Sequence, residues 1–143
     1  MAACFFILNP MKHLFTLTAL IEAATGLALV VVPTIVVNLL LGEEISGAAI
    51  PLGRVAGVAL LALGIACWLA RGDTQSCAAR GLLKAMLAYN LGAAIVLAVA
   101  GIQSHLVGIA LWPAVILHGV MGVWNIRAAA VPAGGQSDFK KEL

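Results

Sequence analysis

Four long apolar stretches separated by short polar breaks organise the chain of 143 residues. A helix needs about 20 mostly apolar residues to cross a bilayer core. Residues 14–32, 51–70, 82–100 and 106–126 meet that requirement. The first stretch closes at Pro33, and "PTIVVNLLLGEEISGAA" leads towards the second. The apolar part of this link, residues 34–41, is too short to span. It reads as a bent continuation of the first helix or as a short helix lying at the membrane interface. Pro33 favours a bend, because proline lacks a backbone donor and collides with the preceding turn. The pattern predicts an all-α fold, a bundle of four transmembrane helices.

Composition supports the same reading. The chain is 63% hydrophobic and only 10% charged, whereas soluble domains carry about 25% charged residues. A surface so poor in charge suits lipid. The length fits one domain. Residues 14–128 form the membrane unit. Residues 1–13 are an N-terminal segment, with Met11 as an alternative start. Residues 129–143, "AAVPAGGQSDFKKEL", read as a disordered cytoplasmic tail. The first ten residues lack the basic beginning of a signal peptide.

The net charge of +2 gives no reason to expect nucleic acid as a partner, but the placement of charge is informative. Lys12 precedes the first span. Arg71, Arg80 and Lys84 flank the turn between the second and third. Arg127, Lys140 and Lys141 follow the fourth. The opposite side carries Glu43, Glu44 and only Arg54 of the eight basic residues. Basic residues collect on the cytoplasmic side of a membrane, so both termini and the middle turn are expected there, in a bacterial inner membrane. Cys4, Cys67 and Cys77 have no C-x-x-C spacing, and reduced thiols are expected. The Arg-Gly-Asp triplet at 71–73 reads as a turn.

The polar residues inside the spans are the candidate site. Glu22 lies eight residues into the first span and Asn90 eight into the third, each roughly 12 Å deep. His118 lies twelve residues below the outer end of the fourth, roughly 18 Å. Three helices therefore bring a polar group to a similar depth. Thr18, Ala19, Thr25 and Gly26 share the face of Glu22, while Leu17, Leu20, Ala24, Leu27 and Val31 lie opposite. This pattern turns Glu22 into the bundle. Arg54, about 5 Å below the outer end of the second span, either snorkels to the headgroups or reaches inward towards Glu22. Gly53, Gly57 and Gly64 form a small-residue stripe suited to close helix packing, and Gly122 and Asn125 share the face of His118.

These residues allow a plain reading and a sharper one. In the plain reading Glu22 is a buried carboxyl held by Arg54, Asn90 or His118, or kept neutral. In the sharper reading it carries a proton or meets a ligand. His118 reads first as a hydrogen-bonded core histidine. His105 is roughly 20 Å along the same helix and cannot share an iron with it. The sequence presents no metal-ligand cluster, nucleophilic triad, P-loop or G-x-G-x-x-G. Catalytic residues, metals and cofactors are therefore not expected, and neither is enzyme activity.

The stretches "EAATGLALVVVP", "GRVAGVALLALGIACWLAR", "ARGLLKAMLAYN" and "LWPAVILHGVMGVW" resemble the small four-helix DoxX-like bacterial membrane proteins. The likeness runs from about Met11 to Ala128. It implies an inner-membrane bundle without an agreed activity, sometimes associated with respiratory or redox complexes. The expected function is an accessory subunit of a membrane complex or a binder of lipid or a hydrophobic ligand. The bilayer, a larger complex or further copies of the chain would be its partners. "IEAATG" is also similar to the first helix of small multidrug resistance transporters, which implies the alternative of proton-coupled transport through Glu22. The third span has no tryptophan, and the first connection is longer than in that family.

Overall fold

The structure is a computed structural model describing residues 10–130; the N-terminal nine residues and most of the expected polar tail lie outside this range. Among the described residues it is entirely helical. The helices are α1 (Pro10–Val31), α2 (Pro33–Leu41), α3 (Ala49–Ala70), α4 (Cys77–Gln103) and α5 (Leu111–Ala129). Three of them, α1, α3 and α4, are long and apolar enough to cross a membrane. By length and composition this is a multi-pass membrane protein. The 19-residue α5, which carries His118, Asn125 and Arg127, is not among these three.

The long helices form two antiparallel pairs. In one, α1 and α3 meet backbone to backbone through glycine. A methyl group on Gly57 would lie 2.7 Å from the Gly26 carbonyl oxygen and 2.9 Å from the Val30 nitrogen. One on Gly26 would lie 2.6 Å from the Gly57 oxygen. Further along, Gly64 faces Ala19 and Ala23. The expected small-residue stripe is therefore the α3 contact surface; Gly57 and Gly64 are buried, while Gly53 lies beside Pro33. In the other pair, α4 and α5 pack along their length, with Gly101 against Leu111 and Trp112, and Gly122 against Leu91. The pairs touch each other over a much narrower zone. A shared core of Leu14, Phe15, Cys67, Leu83, Met86 and Met121 fills one end of that seam.

The bend at Pro33 separates α2 from α1, as the sequence predicts. Gly42 ends α2 in the left-handed region at φ 78° and returns its N–H to the Asn38 carbonyl at 2.7 Å. The start of the last helix differs from expectation. Residues 106–110 belong to a connection, and α5 runs from Leu111 to Ala129. His105, at φ 52°, turns the chain out of α4. Gly108 then lies directly on the Leu39 and Leu40 carbonyls, and the Ala110 N–H donates to the Leu39 oxygen at 2.9 Å. This contact ties the connection to α2 and delays the helix. Pro113 is tolerated in the first turn of α5, where its missing N–H leaves no intrahelical bond unmade.

The antiparallel order gathers Lys12, Arg71, Arg80, Lys84 and Arg127 towards one end of the molecule and Glu43, Glu44 and Arg54 towards the other. At the basic end, the Arg71 guanidinium stacks 3.2 Å from the centre of the Trp68 ring, a contact that pairs a cation with the negative face of the indole. Ser76 caps α4 there, its hydroxyl accepting from the Ala79 N–H at 3.1 Å. Ser76→Ala should cost about 1 kcal/mol, read as a lower midpoint in thermal unfolding followed by circular dichroism in detergent.

Candidate functional site

Helical spacing turns one face of α1 inward, and most of the residues expected on that face are there. Thr18, Ala19, Glu22 and Gly26 are buried, and Leu17, Leu20, Leu27 and Val31 are exposed. Thr25 is the exception, since it is exposed. It stands three positions from Glu22, on the edge of the buried face turned away from α3, which Gly26 meets.

Glu22 is 5% exposed. One of its carboxyl oxygens, Oε2, accepts from the Tyr89 hydroxyl of α4 at 3.3 Å. The next residue, Asn90, is 2% exposed and donates its Nδ2 to the Met86 carbonyl one turn back at 2.8 Å. That bond fixes the amide, leaving Asn90 Oδ1 to face His118 Nδ1 of α5 at 2.9 Å. An amide oxygen only accepts, so His118 Nδ1 carries the proton and donates. The rings of Tyr89 and His118 meet edge to face, with centroids 5.5 Å apart at 84°, an arrangement that suits the aromatic quadrupole. Glu22, Asn90 and His118 thus come together as their depths predict.

Thr18, Ile21, Glu22, Asn90, Leu117, His118 and Met121 line a small pocket of about 10 Å³. That is about the space for one water molecule. A wider groove of about 390 Å³ lies elsewhere, between α2 and the following connection. Thr34, Asn38 and Glu44 supply its polar groups, and Ile35, Leu39 and Ile45 its apolar wall.

Arg54 does not join the cluster. It is exposed near the start of α3, beside Gly53, which packs on Pro33. Pro33 lies eleven residues beyond Glu22, roughly 16 Å along the axis. The antiparallel crossing therefore holds Arg54 out of reach of the carboxyl. Among the described residues no group of three or more His, Cys, Asp or Glu side chains could hold a metal ion. Cys67 is buried and Cys77 exposed, both as free thiols.

Tyr89 is the principal residue that depth and spacing did not single out. Its signal is local: "MLAYN" at 86–90 is matched by "MGVWN" at 121–125. In both, the asparagine donates Nδ2 to the carbonyl of the methionine four residues earlier, at 2.8 Å. Asn125 is buried too, and its Oδ1 has no hydrogen-bond partner among the described residues.

The fold and the site define a multi-pass helical membrane protein with a small polar centre between two helix pairs. No family model, curated protein or solved structure matches the chain.

Proposed function

We propose that the protein is a non-enzymatic, DoxX-like bundle of four membrane spans that acts through contacts within the bilayer, as an accessory subunit of a larger complex. The observation that carries this reading is the contrast between a polar centre too small for a solute and open, small-residue helix faces. The polar cavity is water-sized. By contrast, Gly81, Ala85, Ala88 and Gly92 follow one another at helical spacing along an exposed face of α4. A side chain added at Gly81, at Gly92 or at Gly119 of α5 would meet nothing within 4 Å. Small residues on a membrane helix let a second helix approach closely.

In this reading α5 is the fourth span. Its 19 residues extend roughly 28 Å, close to the thickness of a bilayer core, and its two least apolar central residues, His118 and Asn125, turn inward. The basic end faces the cytoplasm of a bacterial inner membrane, with both termini on that side. The groove beside α2 supports lipid or hydrophobic-ligand binding as a complementary role. Its volume falls within the range of small-molecule pockets.

A photo-crosslinking residue at Gly92 tests the accessory role in intact membranes. The expected product is one protein adduct of defined mass, absent when the probe is moved to Leu52 on α3. Lipid adducts alone, together with isolation of the chain by itself in mild detergent, would reject that role. A second reading, proton-coupled transport, draws on the burial of Glu22 beside Tyr89. It requires proton-driven uptake by reconstituted vesicles to be abolished in Glu22→Gln. Uptake equal to that of the parent protein would remove it.

A further inference from the structure

We infer that the cavity between α1, α4 and α5 binds one water molecule, and that this water joins Glu22 to His118 as a proton-exchanging pair. The cavity volume of about 10 Å³ matches the space that one water needs. A buried water also needs two to four polar partners, and the lining supplies three. Glu22 uses Oε2 towards Tyr89, a bond that does not involve its other carboxyl oxygen. Thr18, 2% exposed, also lines the cavity and brings a hydroxyl to it. His118 commits Nδ1–H to Asn90, so Nε2 of the neutral ring is its remaining acceptor.

The neighbouring groups set the direction of exchange. Asn90 is held by Met86 and fixes the imidazole tautomer. The water can therefore donate to Nε2 while it accepts from a protonated Glu22. When the proton passes, the Glu22 O–H bond breaks and the water oxygen gains that proton. One of the water's own protons forms the Nε2–H bond. The products are a carboxylate, which Tyr89 continues to hydrogen-bond, and an imidazolium still bound to Asn90. The net charge of the pair is unchanged.

The titratable groups near the exchange are few. Glu22 comes from α1, Tyr89 from α4 and His118 from α5, with Cys67 of α3 in the core alongside. None of the lining residues is Lys or Arg, so the pair has no built-in counter-ion. The exchange is a property of the bundle whether the protein docks a partner or moves a solute.

Solid-state NMR on protein labelled at Glu and His, reconstituted in phosphatidylcholine vesicles, tests both parts. Magnetisation should pass from an immobile water to the Glu22 carboxyl carbon and to His118 Nε2, and Thr18→Val should weaken both transfers. The Glu22 and His118 signals should follow shared pH steps, as coupled sites do. Glu22→Gln should displace the His118 curve by about one pH unit or more. Absence of water transfer to either nucleus in the parent protein overturns the water site. Identical His118 curves in the parent and Glu22→Gln overturn the pairing. Should Glu22→Gln fail to reconstitute, separate pH curves for Glu22 and His118 in the parent protein reject the pairing equally.

Discussion

Gly57→Leu should separate α1 from α3 and abolish this fold. A methyl group at Gly57 already meets two backbone atoms, the Gly26 oxygen at 2.7 Å and the Val30 nitrogen at 2.9 Å. Backbone cannot rotate aside as the end of a side chain can. Gly57→Ala should therefore cost about 1–3 kcal/mol, the range for overpacking a tight contact, and the larger side chain more. The same change at Gly92, which faces open space, should stay within about 0.5 kcal/mol, as for an ordinary surface position. Reversible denaturation in mixed micelles, followed by tryptophan fluorescence, would compare the three variants. Equal stability of Gly57→Leu and Gly92→Leu would mean that α1 and α3 do not cross through glycine.

The second large effect is expected at Asn90. Replacement by leucine keeps roughly the same volume but removes the acceptor for His118 Nδ1–H. A buried donor left without a partner costs about 1–3 kcal/mol. Asn125→Leu removes an amide whose oxygen is unsatisfied, and the loss should be smaller. The two substitutions are matched in chemistry and in helical setting, so their difference isolates the interhelical bond. The same denaturation assay reads it. A loss at Asn125 equal to or greater than that at Asn90 would contradict the hydrogen bond to His118.

Much of this architecture follows from patterns within single helices. Apolar length located the long helices, and Pro33 located the bend before α2. The small-residue stripe on α3 located its contact face, and the neighbours of Glu22 on α1 indicated that the acid points inward. Depth brought Glu22, Asn90 and His118 to one level. Relations between helices were much less legible. Periodicity gives the inward side of each helix but not the rotation of one helix about another. Tyr89, adjacent to Asn90, was therefore not identifiable as the residue that reaches Glu22. Depth alone left Arg54 within conceivable reach of Glu22; the antiparallel crossing of α1 and α3 holds it away. The late start of α5 depends on Gly108 lying on the carbonyls of α2, a contact between segments nearly seventy residues apart. Thr25 shows the same limit at the scale of one residue.

The division into two helix pairs also sets a schedule for synthesis. The glycine contact between α1 and α3 can close once the chain has been made as far as Ala70. Glu22 then has no tyrosine beside it, because Tyr89 belongs to the pair still to come. His118 follows Ala70 by 48 positions (118 − 70), which at about 5–20 residues per second is roughly 2–10 s of translation. During that interval the acid lies on the open side of a finished half. The newborn protein must shelter that carboxyl until its second half arrives.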